Sequence, residues 1–495
     1  MALSPDLLAA PKLARTDAGL QPYVPSPDQP WDTLRAGHLL RRTLIGPQPS
    51  EITQALRSTP HQVVKNLLFL PNPPDPPGDW VNQDPFIRPT RAQRQLEREW
   101  MDEIRAWWME KMVNLTPTSR GFSIRERMVL FWHNHFATQA IDVPRPQLMY
   151  IQNTTLRKHA LGNFKTLVQD ITRDPAMLYY LDGRVNQKGK PNENYARELM
   201  ELFTMGIGNY TEEDVGEAAR ALTGWVVQAG KAVFYQRRFD PEKKTFLGRR
   251  GNFNDTDIID IIFEQEATAT FICRKLYQAF VYDIPDESVV DQMARLLREN
   301  NYEIRPVMEA LLTSMHFLDK ATIGAKIKSP VELIAGTART LGMWAGSDRD
   351  IQGAYMVHLA NTLGQHLLDP PNVAGWPGYR TWISTSTLSQ RHKVTDEITD
   401  GKIFRIRRTT YRIIKPDPVT FIKTFPDPYD AVKLIREMGA CLTPFEVRGE
   451  REELFLSALL QGAATYDWNP DDPAAPRRIS GLLKMIFELP EYQLG

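Results

Sequence analysis

A mainly α-helical fold, a large multi-helix globular unit with one small inserted β-hairpin, is what this 495-residue sequence predicts. Three observations carry the prediction. Apolar residues recur at i, i+3, i+4 and i+7 along most of the chain, the spacing of a helix with one buried face. Helix-start signals such as Pro49-Ser50 and Ser329-Pro330, and glycine stops such as Gly46 and Gly206, punctuate those runs. Alternation of period two is confined to KAVFYQRRF (231–239), which Asp240-Pro241 breaks and KTFLG (244–248) answers, so the hairpin is expected near 226–248.

Residues 1–30 read as an extended N-terminal arm, and 31–495 as a single large helical domain. HLLRRTLIG (38–46) is a helix ending at glycine, EITQALRS and VVKNLLFL are two more, and five prolines within 71–77 demand a loop. A long helix over about 91–113 carries Leu96, Trp100, Ile104, Trp107, Trp108 and Met112 as its apolar stripe. Ser123 to Glu126 reads as a capping box opening RERMVLFWHNHF, a helix apolar nearly all round and therefore expected to be buried. Helices follow over about 146–173, 255–263, 266–282, 286–299, 305–316 and 329–345. The segment 364–384 is too rich in Pro, Gly and Trp for a regular helix; its Trp376 and Trp382 either anchor a crossing over the core or face a ligand. Several short helices make up the tail from 401.

Composition narrows the function. Sixty basic and sixty acidic residues cancel without a long run of either sign, which argues against nucleic acid and against an anionic membrane as partner. No apolar stretch approaches the ~18 residues of a membrane span. Cys273 and Cys441 stand too far apart in number and sequence for a disulfide framework or a cysteine zinc site, and read as buried thiols. The first thirty residues lack a basic start followed by an unbroken apolar core, so a cytoplasmic location is expected.

The densest polar set at helical spacing lies between Asp182 and Trp225. Pro191-Asn192 opens a helix with Ala196, Leu199, Met200 and Phe203 inward, and Gly206 and Gly208 stop it. Thr211 to Asp214 is a capping box for the next helix. On the first helix Glu193, Arg197 and Glu201 share one row, Glu198 lies on the next, and Asp182 and Asn192 precede it. This set either holds a polar substrate or ion, or is a salt-bridged surface face. His133 and His135 form the second polar cluster, because imidazoles on a buried helix need partners. At 100° per residue they point about 160° apart, so one regular helix cannot aim both at one ion.

Several strings together resemble a bacterial all-helical family catalogued as domain of unknown function 1800: HLLRRTLIG, VLFWHNHFAT, PNENYARELMELFTMGIGNYTEEDV, ARALTGW, KIKSPVEL, LGQHLLDPPNVAGWPG and the terminal LPEYQ, in that order. The resemblance brings no catalytic residues with it. It implies frequent export, which leaves an extracytoplasmic location open, and a neighbouring sulfatase- or phosphatase-like protein as a candidate partner.

G-x-S-x-G, G-x-x-x-x-G-K-[ST], G-x-G-x-x-G, H-E-x-x-H and Glu-x-x-His pairs are all missing. Two readings remain. One is a hydrolytic enzyme acting on a polar polymer, with His133 and His135 as proton carriers, Asp182, Glu193 or Glu198 as acid or base, and Arg197 with Asn192 orienting substrate. The cofactor is unknown, and the cluster leaves room for a divalent metal. The other is a helical scaffold that binds a partner protein through 364–392. The first reading predicts that His133 or His135 lies within hydrogen-bond reach of Asp182, Asn192, Glu193, Arg197 or Glu198.

Overall fold

The computed structural model describes residues 19–343, 349–401, 403–406, 409–412 and 415–495. Helices dominate, and one connected cluster of buried apolar side chains extends from Tyr23 to Tyr492. Residues 1–18 of the expected arm lie outside the described residues; 19–30 contain no helix and are tied down where the Tyr23 N–H donates to the Thr313 carbonyl at 2.8 Å.

Helix α1 (Thr33–Leu44) starts where the Asp32 carboxylate accepts from the Arg35 N–H, and ends with Ile45 in the left-handed conformation followed by Gly46 at φ 118°. Helix α2 (Arg91–Val113) has the expected stripe and a Thr90–Gln93 capping box. Helix α3 (Arg125–His135) is buried nearly all round, with Met128, Val129 and Trp132 at 0% exposure, and packs against α1, α2 and helix α4 (Pro146–Lys158). Its expected capping box is absent. The helix begins one residue later with no side-chain cap, because Glu126 is drawn inward to a buried ion pair with Arg157 on α4. The expected run over 146–173 is broken at 159–163 into two helices.

Helix α5 (Asn194–Glu198) passes directly into a π-helix over Leu199–Thr204, where the sequence predicts a regular helix. Gly206 at φ 82° ends it, and helix α6 (Glu212–Ala221) opens on the expected Thr211–Asp214 box. The single expected hairpin is two. Strand β1 (Trp225–Gln228) pairs with β2 (Lys231–Phe234), and β3 (Lys244–Phe246) with β4 (Arg249–Gly251), so KAVF and KTF do not pair with each other as their alternation suggested. Each finds a nearer partner across a left-handed Ala229-Gly230 or Leu247-Gly248 turn, the two-residue connection whose twist suits a hairpin. A further hairpin, β5 (Ile403–Ile406) with β6 (Thr409–Arg412), lies in the tail where only helices were expected.

Helix α7 (Glu266–Phe280) and helix α8 (Pro330–Thr340), the latter capped by Ser329 and Glu332, complete the walls around α3. Helix α9 (Arg349–Thr362) lies along α2, so close that a Cβ at Gly353 would stand 2.5 Å from the Ala106 carbonyl oxygen. The segment 364–384 is irregular as expected, and helix α10 (Thr385–Asp400) follows it. Among the described residues no helix is long and apolar enough to cross a membrane. Cys273 and Cys441 are both buried and unpaired.

Candidate functional site

Three of the sequence strings meet at the C-terminal end of α3. The Asn134 side chain reads the backbone of Trp376 on both sides: its Oδ1 accepts from the Trp376 N–H at 2.7 Å and its Nδ2 donates to the Trp376 carbonyl at 3.4 Å. The fit requires a glycine next door, since a Cβ at Gly375 would fall 2.3 Å from the Asn134 carbonyl oxygen. His135 Nε2 lies 3.0 Å from the Phe203 carbonyl. A carbonyl only accepts, so that nitrogen carries the hydrogen. The Met205 and Gly206 N–H groups both return to the Met200 carbonyl, which leaves the Phe203 carbonyl among the orphan acceptors of a helix end, and His135 fills the vacancy. Beyond α3, the Ala140 N–H donates to the Leu368 carbonyl at 2.8 Å and the Ile141 N–H to Asp369 Oδ1 at 3.3 Å.

The composite site expected from sequence does not form. Among the described residues neither histidine forms a hydrogen bond or ion pair with Asp182, Asn192, Glu193, Arg197 or Glu198. His133 is enclosed at 1% exposure between the rings of Trp108 and Trp376, 5.1 and 5.6 Å away, and its Nε2 has no partner among the described residues. Burial holds both imidazoles down at about 3, with nearby Lys275 adding to the effect on His135, so each is neutral over the range in which histidine normally titrates. The physical reason is the one the helix pitch gives: the two rings leave α3 in nearly opposite directions, and each ends in its own aromatic surroundings.

The other five belong to the surface. Arg197 grips Glu212 with two bonds of 2.6 and 2.7 Å and reaches Glu193 at 3.5 Å, a salt-bridged face. Asn192 serves the helix start, its Oδ1 accepting from the Asn194 N–H at 3.0 Å. Asp182 sits left-handed at φ 59° ahead of a short turn, Gly183–Val185. Glu198 differs from these. Half-buried, it has no ion-pair partner among the described residues, and burial followed by the charge of Glu201 raises its carboxyl above the usual range, against the pull of Arg197.

Glu198 belongs to a group that the sequence did not single out. The Tyr180 hydroxyl donates to Gln139 Oε1 at 2.6 Å, and its pKa is pushed up to about 12 by partial burial and then by the charges of Asp142, Glu198 and Asp369. These carboxylates come from the α3–α4 loop, the end of α5 and the 364–384 loop. None of them is in an ion pair among the described residues, and Ile141, beside Asp142, is 72% exposed. Gln139 and Asp369 fall inside or next to the quoted strings, which is the one signal that could have found them; no spacing links Tyr180 to Asp142 or Asp369. Among the described residues no group of three or more His, Cys, Asp or Glu side chains is gathered to hold a metal ion.

A family model described as "Protein of unknown function (DUF1800)" matches residues 38–494. No curated protein and no solved structure matches the chain.

Proposed function

The chain belongs to that family of unknown function, and from this premise we propose that it is a non-catalytic helical scaffold which binds a partner protein at the face around Tyr180. The observation that carries the reading is a set of carboxylates with no ion-pair partner among the described residues, Asp142, Glu198 and Asp369, close to one phenol and edged by the exposed Ile141. Such a face suits a lysine or arginine of the partner, whose charge completes the group while its stem packs on Ile141. Its support is the stapling of two chain segments to α3 and the turn after it, which fixes the positions of the carboxylates in advance and so lowers the cost of binding.

Zero-length carbodiimide coupling tests this, because it joins a carboxylate only to an amine in contact with it. Coupling in extract of the source cell should link Asp142, Glu198 or Asp369 to one lysine of a single partner, and Glu198→Gln with Asp369→Asn should abolish that link without loss of thermal stability. Links scattered evenly over surface acids would refute it.

A second reading is favoured by the raised Glu198 carboxyl alone. In a hydrolytic reaction on a polar polymer it would serve as general acid, with Asp142 or Asp369 as base. His133 and His135 take no part in this version, since both are neutral and enclosed. Release of reducing ends from a polysaccharide panel, lost in Glu198→Gln at unchanged melting temperature, would favour it over the scaffold.

A further inference from the structure

Lined by none of the residues around Tyr180, a cavity of about 30 Å³ lies between the end of α1 and the segment 326–328 that leads into α8. It has more space than one water needs. Its walls carry four cations. Arg41 and Arg42 come from the last turn of α1, and Lys326 and Lys328 from an extended segment held in place by two backbone bonds of 2.8 Å, from the Lys328 N–H to the Gln493 carbonyl and from the Gly495 N–H to the Lys326 carbonyl. Gly495 lines the cavity too, and forms no ion pair among the described residues. Among the described residues Glu332 is the one carboxylate side chain in the wall, and it is already engaged by Arg127 and by the Ser329 N–H.

What the four cations bond to is backbone. Arg41 Nη1 donates to the Cys441 carbonyl at 3.1 Å, Arg42 Nη2 to Val281 and Thr322 at 3.3 and 3.2 Å, Lys326 to Gln278 at 2.6 Å and Lys328 to Tyr492 at 2.7 Å. Carbonyl dipoles satisfy hydrogens; they do not cancel charge. Arg41 and Arg42 are 8% and 2% exposed, yet Arg41 Nε and Nη2 and Arg42 Nε have no hydrogen-bond partner among the described residues. Behind Lys328 stands Arg391, fully buried and bonded to Gln493 and to the Lys328 carbonyl, with its Nη1 also unpartnered. Burial, and after it the mutual repulsion of these groups, drives the pKa of Arg42, Lys326 and Lys328 well below the ordinary values.

None of the four cations is in an ion pair among the described residues, and Asp283 is the one carboxylate whose charge supports Lys326. Buried charge so little compensated is costly and unfilled guanidinium donors are costly again, so an arrangement of this kind is built for a ligand of opposite sign. We propose that the cavity is an anion-binding site for one compact tetrahedral oxyanion, phosphate or sulfate, either free or as the end group of an ester. The planar guanidinium forks of Arg41 and Arg42 match paired oxyanion oxygens, and the two ammonium groups supply further charge at close range. The small enclosed volume excludes a nucleic acid strand. The site draws on HLLRRTLIG, KIKSPVEL and LPEYQ, the strings that the Tyr180 face leaves unused.

The experiment is calorimetric titration and thermal melting of the full chain, with phosphate or sulfate against chloride at matched ionic strength. Phosphate should bind saturably and raise the melting temperature where chloride does not, and Lys328→Met should weaken binding about tenfold or more. In chloride the same variant should melt at or above wild type, because one of several buried like charges is gone. Lys326→Met repeats the test if Lys328→Met does not fold. O-phosphoserine and glucose 6-phosphate separate the sources: binding of inorganic phosphate alone identifies a free ion, and binding of the esters identifies an end group. Equal melting in phosphate and chloride, or a phosphate increment that persists in both lysine variants, overturns the proposal; the first outcome means that the lysines shed their protons instead.

Discussion

Asn134, His135 and Gly375 show how a polar residue on a buried helix is used here. Each side-chain group of Asn134 and the Nε2 of His135 ends on a backbone atom of a distant segment, so these residues act as staples. Gly375→Ala should therefore unfold the 364–384 crossing or force α3 to move, with a loss of about 1–3 kcal/mol from overpacking, read as a lower denaturant midpoint. The titration behaviour follows the same geometry. His133 and His135 have folded values near 3, below the unfolded value of about 6.5, so the stability they contribute is complete above about pH 6.5 and is lost as pH falls toward 3. Asp174 has the opposite sign. Burial raises its carboxyl to about 7, so its contribution is complete below about pH 4 and is lost as pH rises through 7. Melting curves of His133→Phe and Asp174→Asn between pH 4 and 8 should accordingly lose slope in opposite directions. Equal slopes in both variants and wild type would contradict the assignments.

Among the elements, glycines decide where helices stop and how closely they approach. Gly206 is buried at φ 82°, and a Cβ there would meet Phe271 at 3.0 Å, whereas Glu212 is an exposed partner of Arg197. Gly206→Val should cost about 1–3 kcal/mol through its left-handed backbone, and Glu212→Ala should be close to neutral, so equal melting temperatures would count against this helix end. Gly336 on α8 packs on the turn after α1, where an added Cβ would lie 2.7 Å from the Ile45 carbonyl oxygen. Gly336→Ala should thus destabilise the protein and, because Arg41, Arg42 and Glu332 flank this contact, weaken phosphate binding as well. Helix existence and most helix ends were legible from periodicity, caps and glycines: α1, α2 and α6 follow their signals. The π-helix was not, because a regular continuation and a π turn share the same local sequence. Nor was the start of α3, where the ion pair of Glu126 with Arg157 overrides a local capping signal.

In the whole molecule, the limit of sequence reading is the pairing of distant segments. The two polar clusters were recognisable one at a time, as a salt-bridged face and as buried imidazoles, and both of these plainer readings hold in the structure. Their union did not, since nothing local states that His135 faces Phe203 or that Asn134 faces Trp376. For the same reason the Tyr180 group, drawn from three loops and helix ends, and the cavity uniting positions 41, 326 and 441, were invisible to spacing. The chain thus divides into residues that build, the α3 histidines among them, and residues proposed to bind, Glu198 and its neighbours. The measurement that tests this division most directly is the yield of the carbodiimide link to the partner for folded His135→Gln beside Glu198→Gln. The account predicts that His135→Gln melts lower and keeps the link, while Glu198→Gln melts as wild type and loses it. A His135→Gln protein that is as stable as wild type and fails to couple would contradict it.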